Sequence, residues 1–287
     1  MSERWRLLLD PAAQGAWNMA VDEVLLEGVV AGTTPPTLRF YQWQPACLSL
    51  GYFQSFEVVN LDGCRAFGVD IVRRPTGGRA ILHDRELTYS VAMPVAMLEH
   101  DGGVLPSYYR LSLALQDGLR GLGVPAALAP VADAATTANH GPVCFDQPSA
   151  HEILLDGRKL VGSAQVRRGG GLLQHGSILI EPRIATLMAC LQLPGRPSGS
   201  AGSTALGWEQ IEKGVAGLAE ADVSNPAQIA VALARAFAMR FGVTLFEAPL
   251  RPEEAAAAQV LARSKYQAAG WTQRRLPEMA TNTTRTR

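Results

Sequence analysis

The chain has 287 residues, enough for one large domain or two small ones. Of these, 47% are hydrophobic and 18% charged, which suits a globular enzyme with a substantial core. Twenty-six basic residues balance twenty-six acidic ones, so no global charge draws the chain to nucleic acid or to a membrane surface.

No apolar run approaches the ~20 residues a membrane helix needs. The start also lacks the long apolar centre of a secretory signal, so the expected location is the cytoplasm, with no membrane partner. Cys47, Cys64, Cys144 and Cys190 lie far apart without a CxxC pair, which argues against a disulfide framework. Among the basic residues only Lys159, Lys213 and Lys265 are lysines.

In chain order, residues 5–9 read as a strand and 14–30 as a helix with apolar Trp17, Val21, Val24, Leu25 and Val29. Residues 37–43 alternate as a half-buried strand, and 47–52 are expected to continue the same sheet. A short helix over 61–67 is closed by Gly68. A strand over 69–73 breaks at Arg74-Pro75-Thr76-Gly77-Gly78, and strands follow at 79–82 and 86–93. Ser107 is the expected cap of a helix running to about 122. Residues 126–141 read as an irregular surface loop.

Residues 151–180 read as a strand meander, turned by Asp156-Gly157 and again by Gly169-Gly170-Gly171. A linker over 194–203 leads into helices at 208–218 and 226–241, the second with Asn225 as cap and Pro226 at its first position. A strand at 243–247 and an alanine-rich helix at 252–266 complete the pattern. The expected fold class is α+β, a mixed and mostly antiparallel sheet flanked by helices. One domain is expected over 1–271, with its core at about 33–247 and a helical part at 204–271, followed by a disordered tail at 272–287.

Three segments could carry chemistry. Around Arg73, Arg74, Gly77, Gly78 and Arg79 the paired glycines allow close backbone approach to a ligand, and arginines can hold an anion. A tight turn with solvated arginines accounts for the same residues equally well. Neither GxxxxGK[ST] nor GxGxxG occurs. Cys144 lies between prolines beside the irregular loop, placed to be reached rather than packed, and a nearby cation would favour its thiolate. Cys47 and Cys190 fit apolar packing instead. Lys159 follows a hairpin turn and precedes Gly162-Ser163-Ala164-Gln165, side chains too small to fill a core. His83 and His175 could contact substrate or simply be satisfied within the sheet. His140, Cys144 and His151 match no zinc spacing, so no metal is expected, and no GxSxG elbow exists for a serine hydrolase.

Residues 73–90, Cys144-Phe-Asp-Gln-Pro-Ser149, 157–165 and 173–179 resemble the biotin/lipoate protein ligase superfamily. Within it the chain resembles the LipM-type protein octanoyltransferases, along almost its whole length. The resemblance implies the superfamily's catalytic-domain fold and a two-step transfer without any cofactor. Cys144 takes octanoyl from acyl carrier protein as a thioester, and Lys159 lowers its thiol pKa. The acceptor lysine of a lipoyl domain, typically the glycine cleavage H protein, then attacks. Arg74, Gly77, Gly78, Arg79, His83, Gly162, Ser163, Ala164, Gln165 and His175 are the expected substrate contacts, and a monomer is expected.

An ATP-dependent lipoate ligase of the same fold would leave Cys144 without a role. An amidotransferase moving octanoyl between lipoyl domains would differ only in its donor. A binding protein that has lost its catalyst would not need both Cys144 and Lys159. Arg73, Arg74, Arg79, Arg158, Arg167 and Arg168 are expected to form a basic rim that steers the acidic carrier.

Overall fold

A computed structural model of the chain describes residues 3–101, 103–130, 152–192, 209 and 211–274. The Cys144 segment, His140, His151, the expected 194–203 linker and residues 275–287 lie outside the described residues. Among those described, eleven strands form two sheets.

The chain enters the large sheet at once. Strand β1 (Arg4–Leu9) is followed by helix α1 (Gly15–Val30), then β2 (Thr37–Tyr41). The N-terminal part is thus integral to the core: Trp5, Met19, Ala20 and Val21 are all buried. Helix α1 is apolar nearly all round, the signature of a helix covered on most sides.

Strand β3 (Cys47–Leu50) does not continue that sheet, as its apolar run suggested. It joins a small sheet, parallel to β4 (Asp70–Arg73) and antiparallel to β5 (Ile81–His83), with α2 (Leu61–Ala66) between β3 and β4 in sequence. Its four residues are all buried, so the alternation that would mark a one-sided strand is missing.

The main sheet resumes with β6 (Glu86–Pro94), and after α3 (Val104–Gly121) come β7 (Ala126–Leu128), β8 (Ile153–Leu155), β9 (Arg158–Arg168) and β10 (Gly171–Leu179). The last elements are α4 (Ile184–Ala189), α5 (Pro226–Phe241), β11 (Thr244–Glu247), α6 (Pro252–Leu261) and α7 (Ala269–Arg274). The large sheet has the order β11-β1-β2-β6-β10-β9-β8-β7. Strand β1 pairs in parallel with β11 and β2, and the remaining pairings are antiparallel, which makes the sheet mixed and mostly antiparallel.

Helices α3 and α5 cover one face, over a core that includes Trp5, Phe40, Tyr89, Leu115 and Phe237. A Cβ on Gly118 would lie 2.7 Å from Leu233, so glycine is what lets these two helices meet closely. Helix α1 and the C-terminal helices cover the other face, over Met19, Leu25, Tyr41, Leu173 and Tyr266.

Several boundaries differ from the sequence reading. Helix α3 starts at Val104, and Ser107 sits inside its first turn, donating to the Val104 carbonyl at 2.8 Å and accepting from Arg167 at 2.6 Å. Its hydroxyl is recruited by a distant arginine rather than by the helix end. Residues 126–128 are a strand, because β8 supplies the ladder partners that local sequence does not. The helix expected over 208–218 gives way at Gly214, and Val215 bridges to Lys159. Helical residues at 262–266 widen into a π-helical turn, whereas α5 has the expected cap, Asn225 Oδ1 accepting from Ala227 and Gln228. Among the described residues no helix is long and apolar enough to cross a membrane.

Candidate active site

Strand β9 organises the site. Leu160 and Val161 both face the core under α3 and α5, where the pairing with β8 shifts register. Alternation from there places Lys159, Gly162 and Ala164 on the opposite face, toward α1. The Lys159 backbone is fixed on both sides: its N–H donates to Gly214 O at 2.8 Å and its carbonyl accepts from Ala216 at 2.9 Å. Its side chain is 1% exposed, and Nζ donates to Glu152 Oε1 at 2.6 Å, itself 2% exposed. A buried ammonium needs such a counter-charge. Lys159 is therefore a cation held in place inside the protein, not a surface lysine.

The 74–78 turn lies across this face. Arg74 braces it from within, donating to Gly77 O and Arg79 O, and ties it to β3 through Ser49 O and Oγ. A Cβ on Gly51 would fall 1.8 Å from Gly78 O, so the turn rests directly on Gly51 backbone. Gly78 itself has φ of +90°, a conformation that favours glycine. Thr76 is fully buried, and its Oγ1 is 2.6 Å from His175 Nε2.

Beyond His175 lies a carboxylate, Asp22 of α1. His175 Nδ1–H donates to it at 2.9 Å, and Arg39, Tyr41 and Ser90 donate at 2.7, 2.8 and 2.8 Å. Burial alone would raise the Asp22 pKa, but the Arg39 guanidinium and His175 outweigh it and hold the carboxyl below its ordinary value. Tyr41 is pushed well up by the same burial and stays a phenol donor. His83 stacks on Trp43 with ring centroids 4.0 Å apart, and its Nε2 is 2.8 Å from Ser49 Oγ. Burial lowers the His83 pKa, so this ring is a neutral one.

Two spaces open along β9. A cavity of about 20 Å³ is lined by Met19, Trp43, Arg74, Gly162, Ala164 and His175 among others, room for about one water molecule. A cleft of about 500 Å³ lies on the other side of the turn, lined by residues that include Leu26, Tyr52, Pro75, Gly77, Val166 and Trp271. Arg74 thus borders the cavity while Pro75 and Gly77 border the cleft.

The expected substrate contacts divide accordingly. Arg74, His83, Gly162, Ala164 and His175 border the cavity, and Gly77 and Gln165 the cleft. Ser163 turns to the opposite face, where its hydroxyl is 2.7 Å from that of Tyr89. Gly78 is exposed and Arg79 half-buried; neither borders these two spaces. The expected basic rim is not there as drawn. Arg73 and Arg74 are 1% and 3% exposed, and Arg73 spends its guanidinium on the carbonyls of Gly51, Gln54 and Thr272. Arg158 pairs with Glu220 and Arg168 with Glu23 and Glu27, while Arg167 donates to Gly103 O and Ser107 Oγ.

Cys47 and Cys190 are fully buried, and Cys64 is buried too, its Sγ 3.7 Å from Cys190 O. Burial raises the Cys47 pKa well above its ordinary value, so this thiol is inert. Sequence reasoning missed Glu152, Asp22, Arg39 and Thr76. Asp22 carried one signal: it lies among apolar residues of a helix rich in them, where a buried carboxylate must have a partner.

Comparison with known proteins adds to this geometry. The model of the lipoyl protein ligase A/B catalytic domain matches residues 14–237. Octanoyltransferase LipM of Moorella thermoacetica is 42% identical over 283 residues, covering 96% of this chain and 99% of the relative. The LipM of Symbiobacterium thermophilum is 41% identical, with coverage of 96% and 100%. A crystal structure of lipoate-protein ligase A bound with ATP superimposes with a TM-score of 0.75 at 25% identity, covering 96% of this chain and all of that one. A bipartite lipoate protein ligase from Thermoplasma acidophilum reaches a TM-score of 0.79 at 23% identity, a likeness of fold. With a family model across most of its length and full-length relatives above 40% identity, this chain belongs to the lipoyl protein ligase A/B catalytic domain family, in its LipM-type branch, and is an acyltransferase that transfers octanoyl in lipoate biosynthesis.

Proposed function

We propose that the chain transfers octanoyl from acyl carrier protein to the acceptor lysine of a lipoyl domain, the glycine cleavage H protein foremost, through a thioester on Cys144. The observation that carries this reading is the buried Lys159–Glu152 pair at the head of the β9 face. Glu152 follows Cys144 by eight positions in the sequence, so one short segment joins the nucleophile to the counter-ion of the cation.

The chemistry balances in two steps. The Cys144 thiolate attacks the carrier thioester, the carbonyl carbon–sulfur bond to the carrier arm breaks, and the carrier thiol leaves with a proton. The neutral amine of the acceptor lysine then attacks the Cys144 thioester, Cys144 leaves as thiolate, and the amine proton is released. The first exchange is nearly balanced in energy and the second runs downhill from thioester to amide, so ATP is not required. Lys159 serves as a fixed positive charge that favours thiolate before attack and oxyanion during it. The acyl chain lies along Gly162 and Ala164, under the 74–78 turn. Each methylene it buries is worth roughly 0.8 kcal/mol.

The likeness to an ATP-bound lipoate ligase favours adenylate chemistry as the second reading. Intact-protein mass after mixing with octanoyl acyl carrier protein separates them. An octanoyl adduct on wild type, released by hydroxylamine and absent from Cys144→Ala, is the expected result. Activity of Cys144→Ala with free acid and ATP would establish the ligase instead. An adduct formed only from an octanoylated lipoyl domain would establish the amidotransferase.

A further inference from the structure

Amide formation needs a base. A lysine side chain in water is an ammonium, and it cannot attack a thioester until it loses a proton. The inference rests on the reading above, in which the acyl carbonyl lies by Lys159 and the chain runs along Gly162 and Ala164. Lys159 is itself a cation, paired with Glu152, and is in no position to take that proton.

The strands fix which residues share the carbonyl end. Thr88, Ser177 and Gly162 lie in one row across β6, β10 and β9, and Ser90, His175 and Ala164 in the next. Ser90 and His175 both reach Asp22 of α1, so alternation turns both rows toward that helix. Moving from Ala164 through Gly162 to Lys159 on β9 therefore parallels moving from Ser90 through Thr88 to Glu86 on β6. Glu86 stands at the Lys159 end of the face, two strands across, a backbone separation of roughly 10 Å.

Glu86 is 1% exposed and only half satisfied. Its Oε1 accepts from Thr88 at 2.6 Å, and Thr88 accepts from Trp43 at 2.7 Å, but Oε2 has no hydrogen-bond partner. Five buried side-chain polar atoms lack a partner among the described residues, and three of them are Glu86 Oε2, His83 Nδ1 and Ser177 Oγ. His83 Nδ1 lies 3.5 Å from Glu86 Oε1, too far for a good hydrogen bond. Ser177 shares the row of Thr88. Buried polar atoms left bare are costly, so three in one place mark where a polar group of another molecule is received. His83 and Thr88 line the same cavity as Gly162 and Ala164, which sets the cluster against the acyl face. The titratable side chains His83 and Tyr41 face Glu86 from β5 and β2, and both are neutral. A carboxylate oxygen in that setting calls for a charged donor, and an ammonium is one.

We propose that Glu86 receives the acceptor lysine and is the base of the second step. Its Oε2 takes one proton from the ammonium. The freed lone pair forms the carbon–nitrogen bond as the carbon–sulfur bond breaks, Cys144 leaves as thiolate, and the second proton of the nitrogen passes to water. Glu86 gives its own proton to water once the amide has left. Thioester formation involves no amine and does not call on Glu86.

Single-turnover transfer separates this role from a structural one. Wild type and Glu86→Gln are loaded from octanoyl acyl carrier protein, freed of donor, and given an unmodified lipoyl domain or hydroxylamine, which is a neutral amine already at neutral pH. Glu86→Gln should load as wild type does and yield to hydroxylamine at the same rate, yet pass octanoyl to the lipoyl domain roughly a hundredfold more slowly. The deficit should shrink as pH rises and more acceptor lysine is neutral in solution. In wild type the same transfer should rise less steeply than the neutral fraction of acceptor lysine, a readout that needs no variant. Several results overturn the role of Glu86 alone: transfer by Glu86→Gln at the wild-type rate, equal slowing toward both nucleophiles, a deficit constant with pH, failure of the folded variant to load, or wild-type transfer in direct proportion to neutral lysine. No adduct on wild type overturns the thioester reading together with it.

Discussion

Two buried carboxylates organise opposite sides of α1, and they differ in where their partners lead. Glu254 of α6 accepts from Arg6 at 2.7 and 3.1 Å, from Thr34 at 2.9 Å and from Arg251 at 2.8 Å. Asp22 accepts from an arginine, a tyrosine, a serine and a histidine at nearly the same distances. The chemistry is alike: a desolvated anion offset by guanidinium, one group for Asp22 and two for Glu254, and a shell of donors. Glu254 joins β1 and the 33–36 segment to the C-terminal helices, and its outermost partner, Arg251, faces solvent at 40% exposure. The outermost partner of Asp22 is His175, which touches the 74–78 turn through Thr76. A brace and a site anchor can thus be made of the same parts. What separates them is the position of the last residue in the chain of contacts.

The largest expected effect is at Asp22. Asp22→Asn preserves shape but removes the charge facing Arg39, whose side chain is 0% exposed and, among the described residues, is left with Asp10 as its carboxylate partner. Breaking a buried pair in this way costs about 3–5 kcal/mol. Urea denaturation should show a loss of that order, and octanoyl transfer should fall with it as His175 loses its anchor. A loss below about 1 kcal/mol would mean that Asp10 alone satisfies Arg39, and the likeness between the two carboxylates would fail.

Glu254 is expected to act on stability through pH and to leave the site alone. Burial would raise its pKa, yet the hydrogen bonds from Arg6 and Arg251 hold it at about 2, below the ordinary 4.5. A depressed carboxylate contributes stability above its ordinary pKa and loses it as pH falls toward the folded value. The carboxylate thus contributes more to folded stability at neutral pH than at pH 2. Unfolding free energy should therefore decline between about pH 4.5 and pH 2. Glu254→Gln should flatten that decline while leaving octanoate affinity unchanged. A change in affinity would show that the brace reaches the acyl site.

How much of this was legible in the sequence follows from the same distinction between local and distant partners. The β8–β9 and β9–β10 hairpins and the cap of α5 were legible because Asp156-Gly157, Gly169-Gly170 and Asn225-Pro226 act within a few residues of themselves. Lys159 was legible as a scarce lysine before a run of small residues. Arg73 and Arg74 were not, because what buries them is a set of carbonyls from Ser49, Gly51, Gln54 and Thr272. The extended stretch at Val215 was missed for the same reason, as its ladder partner is Lys159. Thr76 and Asp22 meet only through His175, a residue 99 positions from one and 153 from the other.

The smallest expected effect belongs to a third carboxylate, Glu220, which supplies the exposed counterpart of the other two. Arg158 donates to it at 2.6 Å, with side chains 32% and 44% exposed. The hydrogen bond from Arg158 lowers the Glu220 pKa, but water screens the pair, so its worth is at most about 1 kcal/mol. Arg158→Ala should leave urea stability within that margin. The same variant probes what remains of carrier steering once Arg73 and Arg74 are known to be interior. If Arg158 helps to draw an acidic carrier, kcat/KM with carrier-borne octanoyl should fall as ionic strength rises, and less steeply in Arg158→Ala. Identical salt slopes would assign Arg158 to Glu220 alone. The donor would then find the site by shape and by the open cleft beside Tyr52 and Phe53, with charge contributing little.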